Sequence, residues 1–461
     1  SPTTAPDAKS PTAGRRPGSP DGQLQGEGAA LAELGLHEHA AAVVLGERGR
    51  RVLLLEARPR LGGRGGSFHD TATGQLVDAC QHVSLGCCTE FADWCQSVGI
   101  AGLLQPQPTL WFMTADRRMS RWQADPLPAP LHLARSFLRA HFLTWGEKVA
   151  IARALRRLQR LPTDADGSFG AWLDAQGQTE RVRRRFWATV LVSALNERPE
   201  RVGLKYARKV FVDSFLTDRA GGVMALPTVP LGRLYGPELA ACLERLGVQV
   251  RLATAVRGLD WEKERVAGVT LRSGERLASD AVILAVPHGR VAELWPAVLT
   301  PHPILDPIQN LSTASIVSVH LWVDRPLTPL PHVVLVDMLG QWLFNRGEVE
   351  PGVHYVQVVI SAAEVLRAWG HERVREAVVT ELRQLFPVQP EPRILRSRVV
   401  TEVEATFSPV PGVDRWRPTQ RTPVPGLFLA GDWTATGWPA TMEGAVRSGR
   451  LAAAALLAES R

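Results

Sequence analysis

The sequence predicts an α/β protein of two domains, in which a parallel-sheet domain is discontinuous along the chain and an α+β domain is inserted into it. Short continuous apolar runs bounded by turn residues are the mark of strands buried on both faces. They occur at Val52–Leu55, at Ala281–Val286 and at Leu427–Ala430, near the start, middle and end of 461 residues. Helix-rich and alternating stretches lie between these runs, as an insertion requires. With 45% hydrophobic and 21% charged residues, usage is ordinary for a globular chain long enough for two or three cores.

The elements follow in order. Residues 1–30 are rich in Pro, Gly, Ala, Ser and Thr without periodicity, and the whole of 1–39 reads as a disordered or misassigned lead-in. Ala40–Leu45 is helix-like and stops at Gly46-Glu-Arg-Gly49; Val52–Leu55 is the first buried strand, ending in Glu56. Residues 127–160 and 181–216 are helical, and Arg181–Arg185 is a solvated helix face. Gly247–Thr254, Val266–Leu271, Arg276–Leu277 and Ala281–Val286 read as strands, with a tight turn at Ser273-Gly274. Alternation at Ile316–Val323 and Tyr355–Ile360 predicts an antiparallel sheet. A strand at Leu427–Ala430, a loop and a helix from Met442 onward complete the chain. Residues 40–100, 218–300 and 420–461 are assigned to the parallel-sheet domain, and 101–217 and 301–419 to the insert.

Composition excludes several classes. Five cysteines do not make a disulfide scaffold, and Cys87-Cys88 has no partner histidine or metal-ligand spacing, so no metal is expected. No apolar run reaches the ~18–20 residues of a membrane span, and no signal-peptide core is present, which predicts a cytoplasmic protein. The formal charge is +7, yet only five of the 53 basic residues are lysine; that arginine excess reads as GC-rich coding rather than a phosphate-binding surface. Without a zinc-ligand pattern or an aromatic RNA-binding signature, nucleic acid is not a predicted partner.

Two motifs carry chemistry. Val52-Leu-Leu-Leu-Glu56 is followed by Ala57-Arg58-Pro59-Arg60-Leu61-Gly62-Gly63-Arg64. A carboxylate at the tip of a second parallel strand can accept both ribose hydroxyls of an adenosine. Gly62 and Gly63 let the backbone pass close to a pyrophosphate, which Arg64 can neutralise. The second motif is Gly426-Leu-Phe-Leu-Ala-Gly431-Asp432, continued by Pro439-Ala-Thr-Met-Glu-Gly444-Ala-Val-Arg-Ser-Gly449. Asp432 stands at the carboxyl end of a strand, where it can bind a ribityl hydroxyl. The helix from Met442 and Glu443 points its free N–H groups at the electron-rich carbonyl side of a reduced flavin.

Ala40–Arg64, the block ending Ala281-Val-Ile-Leu-Ala-Val-Pro287 and the tail Gly431–Gly449 together resemble the FAD-dependent amine oxidase and phytoene desaturase superfamily. Val77-Asp-Ala-Cys-Gln81-His82, Leu127-Pro-Ala-Pro-Leu-His-Leu133 and Gly431-Asp-Trp-Thr-Ala-Thr-Gly-Trp-Pro-Ala-Thr-Met-Glu-Gly-Ala-Val446 look like one branch of it, the squalene-associated desaturases or hydroxysqualene dehydroxylases. The resemblance implies an FAD/NAD(P)-binding Rossmann-like domain in an amine-oxidase-like two-domain architecture, with FAD as cofactor. It implies reductive conversion of hydroxysqualene to squalene in hopanoid or sterol precursor synthesis. The cofactor would be held by Gly35, Glu56, Arg58, Gly62, Gly63, Arg64, Gly431, Asp432, Met442 and Glu443, with Val256 at a backbone contact to the adenine.

One departure stands out. The superfamily opens with a hydrophobic strand and a Gly-x-Gly-x-x-Gly turn about twenty residues before the ribose acid. Counted back from Glu56, its slots fall at Glu33, Gly35 and Glu38, so only the middle glycine survives. The preceding Gly28-Ala-Ala-Leu-Ala32 is a poor strand, and Glu38 beside a pyrophosphate is repulsive. Either the start of the chain is misassigned or ordinary FAD binding is lost.

For the resembled reaction the chain must supply an acid, a dry tunnel and aromatic faces for an allylic cation. By motif position His82 and Asp78 are the candidate acids, and Trp111, Phe112, Phe344, Trp433 and Trp438 the candidate pocket. Leu127–Leu143 reads equally as an ordinary lid helix or as a membrane-surface segment that admits a lipid substrate, which would make the enzyme peripheral to the inner face of the plasma membrane. Rival readings are a carotenoid-type desaturase, an amine oxidase, and a flavin-free scaffold for the squalene-pathway prenyl synthases.

Overall fold

The computed structural model describes residues 28–32, 35–71, 74–296 and 302–459. The chain begins with a βαβ unit: β1 (Gly28–Ala32), α1 (Leu36–Glu47) and β2 (Arg51–Leu55). Helix α2 (Thr89–Ser97) packs beside it, and a hairpin of β3 (Thr109–Met113) and β4 (Met119–Gln123) leads into the second domain. There α3 (Trp145–Arg160) heads a helical layer. The chain then returns to the first sheet with β5 (Gln249–Arg251) and β6 (Ala281–Leu284). It leaves again for β7 (Thr313–Val323), β8 (His332–Leu335), β9 (Trp342–Glu350), β10 (Val353–Ser361) and β11 (Ile394–Phe407). Strand β12 (Leu427–Leu429) and α4 (Met442–Glu459) close the first domain.

The first sheet runs β5-β2-β1-β6-β12, parallel throughout. Its strands come from widely separated stretches of chain, as the fold class requires. The second sheet runs β11-β7-β10-β9-β8-β3-β4 and is antiparallel except where β8 meets β3. Helix α4 crosses α1 at a very short distance: a Cβ on Gly449 would lie 2.0 Å from the carbonyl oxygen of His37. Only glycine permits that approach.

Part of 1–39, expected as a disordered or misassigned lead-in, is instead built into the first domain. Residues 1–27, 33 and 34 lie outside the described residues, but Gly28–Ala32 forms the central strand of the parallel sheet and 36–39 the first turn of α1. The segment Gly-Ala-Ala-Leu-Ala has little strand propensity. It becomes a strand because both edges of its backbone are paired and Ala29, Ala30 and Leu31 are buried between helical layers, where small side chains fit. Tertiary burial overrides local preference there.

Candidate functional site

The carboxyl edge of the parallel sheet brings together the ends of β2, β1, β6 and β12, where ligands sit in open α/β sheets. At the end of β2 Glu56 is fully buried, and its Oε1 accepts the Arg58 N–H at 2.8 Å. The segment after β5 folds over it: Thr254 N–H donates to the Glu56 carbonyl at 2.8 Å and Ala253 N–H to that of Arg58 at 2.9 Å. Val256, buried, starts the strand leaving this corner. The glycine turn stands opposite. Gly62 and Gly63 both take positive φ, at 102° and 54°, and the Arg58 Nη1 donates to the Gly63 carbonyl at 2.8 Å. Tyr235 packs its ring on this turn, 3.2 Å from where a Gly62 Cβ would stand, and its hydroxyl reaches the Met442 sulfur at 3.4 Å. Nothing local in the sequence marks Tyr235 for this place.

At the end of β12, Gly431 donates its N–H to Ser448 Oγ at 2.9 Å, and Asp432 accepts Arg64 Nη2 at 2.8 Å. Burial opposes ionisation of Asp432, but Arg64 and His37 outweigh it and hold its carboxyl below the usual value. Arg64 also donates from Nη1 to the Ala405 carbonyl at 2.9 Å. Glu443 is buried and accepts the Phe91 N–H at 2.8 Å, capping α2, and burial raises its pKa.

The turn between β1 and α1 is different. The Gly35 N–H donates to Glu38 Oε1, and Glu38 is fully buried. The His37 ring folds back over Gly35, with Nε2 on the Ala285 carbonyl at 2.7 Å. Burial depresses His37 to about 4 and His39 to about 3, so both rings are neutral at neutral pH. A dinucleotide turn binds a diphosphate through free N–H groups at the helix start. Here a carboxylate holds one of them. Glu56 with the glycine turn fits the nucleoside end of FAD, and Asp432 with the start of α4 fits its flavin end.

A cavity of about 770 Å³ lies against the groove, between the second sheet and the helical layer. It runs from Leu131 and Ala134, near the surface, to Met442 and Glu443 at the start of α4. Phe112, Phe344 and Trp438 line it. Trp111 does not: β3 alternates, so Leu110 and Phe112 face the cavity and Trp111 the other side. Trp433 also lies outside the wall, buried, with Nε1 donating to the Val286 carbonyl at 3.0 Å. The sequence reading missed Trp122, Phe137, Phe186 and Trp342, which complete the wall. Trp342 stacks on Phe344 with centroids 5.5 Å apart, and its Nε1 donates to Ser193 Oγ at 2.6 Å. A π-helical turn, Lys209–Ser214, contributes Lys209 and Ser214. The Lys209 ammonium lies 4.3 Å over Trp438. Cys87 donates its thiol to Ser214 Oγ at 3.1 Å; hydrogen bonds with Cys88 and Ser214 hold it below the usual thiol range.

Neither predicted acid lines the cavity. Asp78 accepts the Ser67 hydroxyl at 2.5 Å and the Leu231 N–H at 2.8 Å, pinning a short hairpin to a helix start; burial raises its pKa. The His82 Nδ1 faces the Cys80 carbonyl at 3.1 Å, so in the neutral ring it carries the hydrogen and leaves Nε2 a bare acceptor. Burial lowers the His82 pKa, and Nε2 points toward Gly65 of the glycine turn. A neutral ring with that tautomer has no proton to give from Nε2. Among the described residues no cluster of three or more His, Cys, Asp or Glu is placed to hold a metal ion.

Comparison with known proteins places this geometry. The family model described as flavin containing amine oxidoreductase matches residues 40–457. The 15-cis-phytoene desaturase of Solanum lycopersicum is 28% identical over 93% of this chain and 77% of its own length. A hydroxysqualene dehydroxylase from Sinorhizobium fredii is 29% identical over 92% of this chain and 97% of its own. The solved structure of an oxidoreductase from Methanosarcina mazei shares the fold, with a TM-score of 0.70, 16% identity, and coverage of 94% of this chain and 100% of that one.

Proposed function

This chain belongs to the flavin-containing amine oxidoreductase family, and from that premise we propose that it removes the hydroxyl of hydroxysqualene reductively to give squalene. It is a flavin-dependent oxidoreductase, and the cofactor of the family is FAD. The observation that carries the finer reading is the long apolar cavity, which opens beside Leu131 and ends at Met442. The dehydroxylase relative, matched over 97% of its length, supports the same substrate.

The reaction replaces a C–O bond by C–H. The hydroxyl takes up a proton and leaves as water, and the allylic carbon receives a hydride, which a reduced flavin supplies when bound. The chain's own work is to exclude water, cradle positive charge and provide the proton. Apolar walls keep solvent from recapturing an allylic cation. The stacked faces of Trp342 and Phe344 offer it π density. We assign the proton to Cys87, whose thiol hydrogen bonds hold below the usual thiol range and which is set in the cavity wall.

Substrate delivery from a membrane surface belongs to the same reading. Leu127, Leu131, Leu138, Trp145 and Val149 are all exposed, Trp145 by 67%, and Leu131 also lines the cavity. Arg135 and Arg139 stand among them, suited to anionic headgroups. No helix among the described residues is long and apolar enough to cross a membrane.

Polyene desaturation is the second reading, favoured by the phytoene desaturase relatives and by the same cavity. Amine oxidation fits less well, since a substrate ammonium would be stripped of water against an overwhelmingly apolar wall. The test is to incubate the chain anaerobically with FAD, a chemical reductant and hydroxysqualene, and in parallel with FAD, an oxidant and phytoene. Squalene in the first arm supports dehydroxylation. New conjugated absorbance from phytoene, with hydroxysqualene untouched, overturns it.

A further inference from the structure

We propose that Arg417 is the positioning residue of the flavin end of the groove: its buried guanidinium fixes the loop that presents Asp432 and registers that loop against the helix walling the apolar cavity. The inference rests on the flavin-dependent reading and holds whichever apolar substrate the cavity takes.

The side chain of Arg417 has no exposed surface. A guanidinium persists in such a place only where its donors are satisfied and its charge is paired. Two separate parts of the chain meet those conditions. Toward the loop after β12, Nε donates to the Trp433 carbonyl at 3.3 Å. Nη2 donates to the Asp432 carbonyl at 3.0 Å, to the Thr434 carbonyl and to Thr436 Oγ1 at 3.2 Å. The carbonyl of Asp432 is therefore held by one arginine and its carboxylate by another, Arg64. The same loop runs on through Trp438 to the start of α4, both part of the cavity wall. Beneath it, the guanidinium lies 4.7 Å over the ring of Phe407.

Toward the second domain, Nη1 donates to the Tyr206 hydroxyl at 2.6 Å and to Asp414 Oδ1 at 3.2 Å. Tyr206 passes its own hydrogen to Asp414 Oδ1 at 2.6 Å, and Lys205 Nζ donates to Oδ2 at 2.7 Å. Burial raises the Tyr206 pKa, so the phenol stays a donor at neutral pH. Burial also opposes ionisation of Asp414, but Lys205, Tyr206 and Arg417 outweigh it and hold its carboxyl below the ordinary range. Lys205 and Tyr206 lie on the helix Leu204–Arg208, which the π-helical turn Lys209–Ser214 continues directly. That turn sets Lys209, Val210, Phe211 and Ser214 in the cavity wall. One side of the arginine fork thus fixes the cofactor loop and the other the substrate wall. Lysine cannot replace it, because a single ammonium nitrogen cannot reach acceptors that the guanidinium meets from three nitrogens in a fixed plane.

The experiment uses the full chain. FAD and ADP are titrated calorimetrically into wild type, Arg417→Lys, Tyr206→Phe and the double variant. The visible circular dichroism of bound FAD and the thermal unfolding of each protein are recorded beside the titrations. Arg417→Lys is expected to weaken FAD about tenfold, as loss of charge-assisted hydrogen bonds to the loop allows, and to change the flavin dichroism. ADP affinity is expected to stay at the wild-type value, since ADP has no flavin end to meet the Asp432 loop. Tyr206→Phe keeps the ring and removes the bridging hydroxyl; it is expected to weaken FAD about threefold. The double variant is expected to bind no more weakly than Arg417→Lys alone, because both changes break one network. A folded Arg417→Lys protein with wild-type FAD affinity and dichroism overturns the proposal, however far its melting temperature falls. Equal losses for FAD and ADP, or additive losses in the double variant, overturn it too. If the lysine variant does not fold, Tyr206→Phe decides by the same comparison of FAD with ADP. Folded wild type that binds no FAD overturns the flavin-dependent reading along with the proposal.

Discussion

Single side chains separate the structural acids from the reactive ones. Asp78 holds two hydrogen bonds that join distant parts of the chain, so Asp78→Ala takes the acceptor from the Ser67 hydroxyl proton and from the Leu231 N–H. It should lose about 1–3 kcal/mol in denaturant unfolding, with kcat nearly intact in the protein that remains folded. His82→Ala should likewise retain kcat. Cys87→Ser should lower kcat about 100-fold, the usual weight of a general acid, and abolish the alkaline limb of the wild-type profile. That limb arises because only the thiol form can give a proton. A Cys87→Ser enzyme of full activity, beside an inactive Lys209→Met, would move the role to lysine. At this scale Glu56, Gly62, Gly63 and Asp432 were legible because each sits beside a strand end or a turn that is itself legible. Asp78 was misread as an acid because its partner lies 153 residues away.

Elements show where pattern reading stops. Strand β2, the helix-like stretch Ala40–Leu45 before it and α4 follow from apolar runs and glycine stops, yet β11 went unread. Its residues Arg396, Arg398, Glu402 and Glu404 look like a surface loop, but they belong to an edge strand paired on one side with β7. The charges find partners: Arg396 pairs with Glu350 at 2.9 Å, and Arg398 with Asp70. The contact between α1 and α4 makes a sharper claim. Gly449→Ala places a methyl group into the His37 carbonyl, and should cost about 1–3 kcal/mol as overpacking, read as a lower midpoint in urea. Because the same contact clamps the turn at Gly35, FAD affinity should change with it, whereas a stabilised or unchanged protein would show that the two helices are free to part.

For the molecule as a whole, buried neutral histidines and an exposed apolar face set two behaviours. His37, His320 and His332 are depressed to about 4 and His39 to about 3, all mainly by burial. Below the unfolded value of about 6.5 the unfolded chain takes up protons that the folded one refuses. Stability should therefore fall as pH drops from 6.5 toward 4, at up to about 1.4 kcal/mol per pH unit for each such group. A melting temperature flat between pH 7 and 5 would contradict this. The exposed face predicts flotation with anionic vesicles and little with neutral ones. Leu138→Asp with Trp145→Asp should reduce it about tenfold while leaving turnover of detergent-dispersed substrate unchanged.

By itself the sequence determined the fold class, the acid and glycine pair after β2, and the Gly-Asp tail before α4. Those signals are local: a period, a strand end, a residue without a side chain. Only the tertiary structure decided that Gly28–Ala32 is the central strand, that Trp111 faces away from the cavity while Trp342 lines it, and that Glu38 occupies its own helix start. Each of these depends on what lies across a packed interface. Burial on both faces makes a strand of alanines, sheet register assigns a side chain to one side, and the fold of the turn brings a buried carboxyl group within reach of the Gly35 N–H.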